Sequence, residues 1–130
     1  MATNKRVKTI YSSTKDKLEQ YKLTHPPVSL RMQDLSGGGP IRPDEWCLYE
    51  VHEQKVDLDT GESSESTKEA FAIRKDDKYY STISSTFISG FRDFISDFGL
   101  DENPVPFTFS VGSNKTGAGR SFIYFIPLEV

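Results

Sequence analysis

The sequence predicts a mainly β domain with one buried helix. Three observations carry that prediction. Apolar and polar residues alternate with a period of two in several separate segments, one segment alone has the 3.6-residue apolar period, and stretches rich in Gly, Pro and Ser divide them. Residues 1–27 are polar and Lys-rich and close on Pro26-Pro27, which disfavours a continuing helix. They read as a basic, flexible extension in front of a domain spanning 28–130. Within the extension, Ser13-Thr-Lys-Asp16 has capping-box spacing, and Leu18, Tyr21 and Lys22 line a short helix.

The domain starts with Val28, Leu30, Met32 and Leu35, which give a strand over 28–35 with one buried face. Ser36-Gly-Gly-Gly-Pro40 breaks it. Trp46 to Leu58 is a long strand, with Trp46, Leu48 and Glu50 on one face and Cys47, Tyr49 and Val51 on the other; a bulge is expected near His52 and Lys55. Asp59 to Ser66 is a solvated acidic loop. Glu69 to Ile73 is a strand, and Lys78 to Ile83 either continues it past Asp76-Asp77 or forms a short extra one. Phe87, Ile88, Phe91, Phe94, Ile95 and Phe98 make one helical stripe, which Ser84, Ser85 or Thr86 can cap and Gly99 can end. Phe107, Phe109 and Val111 alternate as a strand, Gly112 to Gly119 is a loop, and Ser121 to Pro127 is the last strand. The order β-β-β-α-β-β is that of the OB fold, a five-stranded Greek-key barrel whose helix plugs one end.

Composition narrows the function. The chain has 130 residues and a formal net charge of −3, which argues against a surface coated in basic patches. The charge is uneven: residues 1–42 hold eight Lys/Arg against three acids, and residues 43–130 hold eight against sixteen. The single Cys47 excludes an intramolecular disulfide framework. No apolar run approaches the ~18 residues of a membrane span, and no secretory leader is seen, so a cytoplasmic location and no membrane partner are expected.

Tests for chemistry come out negative. Gly112-Ser-Asn-Lys-Thr-Gly117 starts like a phosphate-binding loop, but Ala118 and Gly119 follow and a strand comes next instead of a helix. His25, Cys47 and His52 have no metal-ligand spacing, so no metal or other cofactor is expected. The carboxylates cluster in loops, and none stands out as a general acid or base. The expectation is a protein without catalysis.

Basic and aromatic residues do interleave. Arg74, Lys75 and Lys78 flank Tyr79 and Tyr80, while Lys115 and Arg120 bracket the glycine loop ahead of Phe122 and Tyr124. Single-stranded nucleic acid needs both types, rings to stack on bases and cations to track phosphates. In an OB fold such ligands lie on the second and third strands and the adjoining loops. The candidate binding set is therefore Trp46, Tyr49, Arg74, Lys75, Lys78, Tyr79, Tyr80, Lys115, Arg120 and Tyr124. A second reading is a protein-interaction module whose acidic surface binds a protein or mimics nucleic acid.

Glu69-Ala-Phe-Ala-Ile73, the run from Tyr79 to Phe91, and Gly112-Ser-Asn-Lys-Thr-Gly-Ala-Gly-Arg-Ser-Phe-Ile123 resemble small single-stranded DNA-binding proteins. These are the ones carried by phages and conjugative plasmids of Gram-positive bacteria. The resemblance implies an OB fold, single-stranded DNA as partner, no catalysis, and Lys115 and Arg120 at the hairpin that touches DNA. It implies a role in replication, recombination or conjugative transfer of a mobile element. The basic segment in front suggests contact with DNA or self-association of protomers along the strand.

Overall fold

The computed structural model describes residues 2–115 and 121–130. Seven strands and two helices follow in the order β1 (Ala2–Ser12), α1 (Lys17–Thr24), β2 (Ser29–Arg31), β3 (Glu45–Val56), β4 (Ser63–Lys75), β5 (Lys78–Thr82), α2 (Ser85–Asp97), β6 (Thr108–Lys115) and β7 (Ser121–Glu129). The fold is mainly β, as the alternation predicts. The strands do not close into one barrel. Five form an open sheet in the order β1-β3-β4-β5-β2, in which β2 runs parallel to β5 and the other neighbours are antiparallel. β6 and β7 form a separate hairpin, tied to the rest of the chain by a bridge between Ile41 and Phe109.

The large rings fill the space between sheet and hairpin. Trp46, Leu48, Phe71 and Ile73 from the sheet meet Phe87, Phe91, Phe94 and Ile95 from α2 and Phe109, Val111, Ile123 and Phe125 from the hairpin. Phe71 and Phe91 lie 4.2 Å apart between centroids, and Phe109 stacks on Phe125 at 5.2 Å. These rings hold the layers apart at their own thickness, and burial of such area is the main stabilising contribution. α2 begins as expected, with Ser84 Oγ accepting from Phe87 N–H, and Gly99 ends it at φ +66°. Phe98 departs from the expected stripe: it is 59% exposed, because it lies past the last full turn.

The N-terminal segment differs most from expectation. Residues 2–12 are an edge strand registered against β3 from Ala2–Val56 to Ser12–Cys47. Thr9 and Tyr11 flank a shift in that ladder, so the bulge falls in β1, whereas β3 pairs regularly with β4 past His52 and Lys55. α1 starts at Asp16, whose carboxylate accepts from Leu18 and Glu19 N–H; Ser13 instead bonds Glu45 and Trp46. Leu23 is wholly buried on the second face of the sheet with Cys47, Tyr49, Ala70 and Ala72. The sheet is thus covered on both sides.

Three further expectations change. The strand read over 28–35 shrinks to Ser29–Arg31, followed by a 3₁₀ turn over Met32–Leu35 that buries Met32. The acidic loop shortens, since β4 begins at Ser63 and its exposed polar residues continue the ladder with β3 as an arm beyond the core. Lys78 opens a distinct strand, because Asp76 and Asp77 both take positive φ (53° and 63°) and turn the chain in a two-residue hairpin.

Candidate nucleic-acid interface

Nine of the ten residues singled out from sequence are described, and they fall on β3, the β4–β5 turn and strand β5, and the β6–β7 hairpin. Trp46 is in the main core, 3% exposed, with Phe91 edge-on at 5.1 Å. Tyr49 is 7% exposed on the opposite face, near α1. Neither ring is open to a base in this conformation. Alternation along β3 sends the two residues to opposite faces, and both faces are covered.

The second place is the β4–β5 turn. Arg74 lies across from Tyr79, and Lys75 across from Lys78. Arg74 is engaged, with Nη1 2.6 Å from Glu19 Oε1 of α1. Lys75 lies 3.8 Å from the carboxylate of Asp76, and Lys78 is exposed. Tyr79 is half-buried on the α1 face and Tyr80 is half-buried against the main core.

The third place is the β6–β7 hairpin. Ile123 and Phe125 point inward, so Phe122 and Tyr124 alternate outward, half-buried and 6.3 Å apart. The Tyr124 ring lies over Gly112, where an added Cβ would stand 2.4 Å from its Cε2 and Cζ. The backbone of Lys115 pairs with Ser121. Residues 116–120, Arg120 among them, lie outside the described residues. β5 begins at the Lys78 turn and ends at the groove beside Phe122, so the second and third places sit at its opposite ends.

That groove was not singled out from sequence. It is a cleft of 720 Å³ between the 3₁₀ turn, the link from β5 to α2 and the hairpin. Arg31, Ser81, Thr82, Ser84, Ser113 and Phe122 are among the residues lining it. Ile83 stands 64% exposed and also lines a neighbouring cleft of 620 Å³ with Arg92, so it forms an apolar ridge between the two. Arg31 lies 3.8 Å from Asp34, and Arg92 Nε lies 2.7 Å from Glu69. The signal in the sequence was the hydroxyl run Ser81-Thr-Ile-Ser-Ser-Thr86.

Titration adds little chemistry. Burial pushes the Cys47 thiol up from 9.0 to about 11, against weaker hydrogen bonds to Thr9 and Ser12, so it stays protonated at neutral pH. Burial also raises Tyr49, with the nearby Cys47 adding to it. The hydrogen bond from Lys55 holds the Glu53 carboxyl below its usual range. Among the described residues there is no group of three or more His, Cys, Asp and Glu able to hold a metal, and no helix long and apolar enough to cross a membrane. What the described surfaces offer is binding chemistry: hydroxyls, guanidinium groups, an apolar ridge and outward rings. No protein-family model, curated protein or solved structure matches the chain.

Proposed function

We propose that the chain is a non-catalytic single-stranded DNA-binding protein of OB type, serving the DNA of a mobile element. The carrying observation is the 720 Å³ groove that brings Arg31, a set of hydroxyls and Phe122 to the hairpin on which Tyr124 faces outward. Hydroxyls and Arg31 suit phosphate oxygens, while Ile83, Phe122 and Tyr124 suit unpaired bases, which need no particular sequence to stack. Setting aside β1 and α1 in front and the short β5 after β4, the order β2, β3, β4, α2, β6, β7 supports the OB reading, with the barrel left open. Lys115 and Arg120, which bracket the glycine-rich run in the sequence, would add phosphate contacts. Any self-association of protomers would use β1, whose edge away from β3 is the outer edge of the sheet.

Polarisation of a labelled oligo-dT tests this. Binding at ~50 mM salt that weakens steeply by ~200 mM is the expected result, since phosphate contacts release counterions. Absence of binding at the lower salt refutes it. The exposed acidic end of the β3–β4 arm, with Asp59 and Glu62 in the turn and Glu65 on β4, favours the second reading, an acidic surface that takes a basic protein. Capture of such a protein by a chain with no DNA affinity would decide for it.

A further inference from the structure

The face of β3 and β4 opposite the main core has the makings of a nucleic-acid surface, yet it is shut. Its floor is small, made of Cys47, Ala70 and Ala72, with Tyr49 and Tyr79 beside it. Arg74 is registered directly across from Tyr79. Two phenol rings and a guanidinium around a shallow floor are the groups that stack on bases and hold phosphate. α1 lies over them. Its Leu23 is inserted into the floor, and its Glu19 carboxylate takes the Arg74 guanidinium at 2.6 Å.

α1 is a weakly held cover. It has eight residues, and Leu23 is the one that is buried. Leu18 and Tyr21 face solvent at 62% and 59% exposure. A helix this short is marginal without tertiary anchors. Here the anchors are one buried leucine, the partly exposed Glu19–Arg74 ion pair, and the Gln20 amide, which donates to the Thr14 carbonyl at 2.8 Å. The chain on its N-terminal side has its own tie to the sheet, because Ser13 is bonded to Trp46 independently of the helix.

We propose that α1 is a displaceable cover, and that the sheet face beneath it binds single-stranded DNA once the cover lifts. A backbone phosphate then replaces the Glu19 carboxylate on Arg74, and bases lie on Tyr49 and Tyr79. This rests on the DNA-binding reading above and adds a second, gated contact to the open groove.

Cys47, the single cysteine of the chain, is wholly buried in this floor and reports its opening. The test follows maleimide labelling of Cys47 in the full chain, with and without saturating oligo-dT, alongside oligo-dT affinity. Glu19→Gln removes one ion-pair partner and keeps the shape. Labelling should become about fivefold faster, and oligo-dT should bind about fivefold tighter, the scale of one partly exposed ion pair. Oligo-dT should then slow the labelling of the variant. Leu23→Ser should act in the same direction, with a cooperative thermal melt showing that the sheet remains folded. Faster labelling with unchanged affinity and no protection by oligo-dT would overturn the proposal. Labelling unmoved by either substitution would also overturn it. If Tyr124→Ala weakens DNA binding while the Cys47 result is negative, the groove stands and the gated face falls. If no form binds oligo-dT, both fall.

Discussion

Gly112→Ala separates the position of one ring from the stability of the fold. Tyr124 lies across the hairpin from Gly112, and a methyl there would meet its Cε2 and Cζ at 2.4 Å, where ordinary contact begins at 3.4 Å. The ring must therefore retreat by about 1 Å. Leaving a preferred rotamer costs ~0.5–1.5 kcal/mol. Replacing Gly by Ala within a strand returns roughly 0.5–1 kcal/mol of backbone entropy. The two nearly cancel, so the thermal midpoint should move by only a few degrees. Binding has no such offset. Base stacking on an aromatic side chain is worth ~1–3 kcal/mol, and a displaced ring forfeits a large part of it. Affinity for oligo-dT should fall about fivefold to thirtyfold. The slope of log affinity against log salt should not change, because no phosphate contact is lost. Polarisation titrations at several salt concentrations, with a thermal melt of the same sample, read all three quantities. Affinity within twofold of the parent, with an unchanged melt, would show that Tyr124 does not stack on DNA.

Phe91→Ala should destabilise the chain by ~3–5 kcal/mol and lower the melting midpoint by roughly 10–20 °C in calorimetry, because Phe91 is wholly buried against Trp46, Phe71 and Phe125. A drop of under about 5 °C would mean that the ring cluster is not close-packed. Deleting residues 1–12 should cost several kcal/mol and about 10 °C, since it strips an edge strand with Val7, Ile10 and Tyr11 from the sheet; an unchanged melt would make the segment a tail. The raised thiol of Cys47 gives a base-labile component. Unfolded thiol loses its proton near 9.0 and the folded one near 11, so the unfolded state binds fewer protons between these values and stability falls as pH rises. The loss is on the order of 2–3 kcal/mol, and urea titrations of Cys47→Ala across that window should show a flatter profile.

The elements legible in the sequence are those whose burial is one-sided and built from large residues. The stripe from Phe87 to Ile95 marks α2, and Phe71 with Ile73 marks the inner face of β4. β1 carries little such signal. It is an edge strand, and Lys5, Arg6 and Lys8 are exposed, so its few apolar residues do not stand out. The outer part of β4 is polar on both faces because the arm lies beyond the core, and polar alternation with nothing buried reads as a loop. Val28 to Leu35 misleads for a different reason. Val28, Leu30 and Met32 keep the strand period of two, yet the spacing of three from Met32 to Leu35 fits one 3₁₀ turn. In the candidate site, the outward phase of Tyr124 was not readable, because Phe122 to Ile126 is apolar on both faces and only the burial of Ile123 and Phe125 sets it. Nor was the burial of Tyr49, because it depends on α1 folding back over a face that a one-sided sheet would leave open. The groove at Ile83 needs distant segments, 31–36, 81–86 and the hairpin residues Ser113, Phe122 and Ile123, and no local pattern reports such a meeting.

The burial of Trp46 also makes the protein its own gauge. It is the single tryptophan, 3% exposed and set edge-on to Phe91 inside the core, whereas Phe122 and Tyr124 face outward. Indole emission therefore reads the integrity of the core. A labelled oligonucleotide and the native indole can be followed in one cuvette, the first reporting occupancy and the second reporting whether the fold that holds the groove is intact.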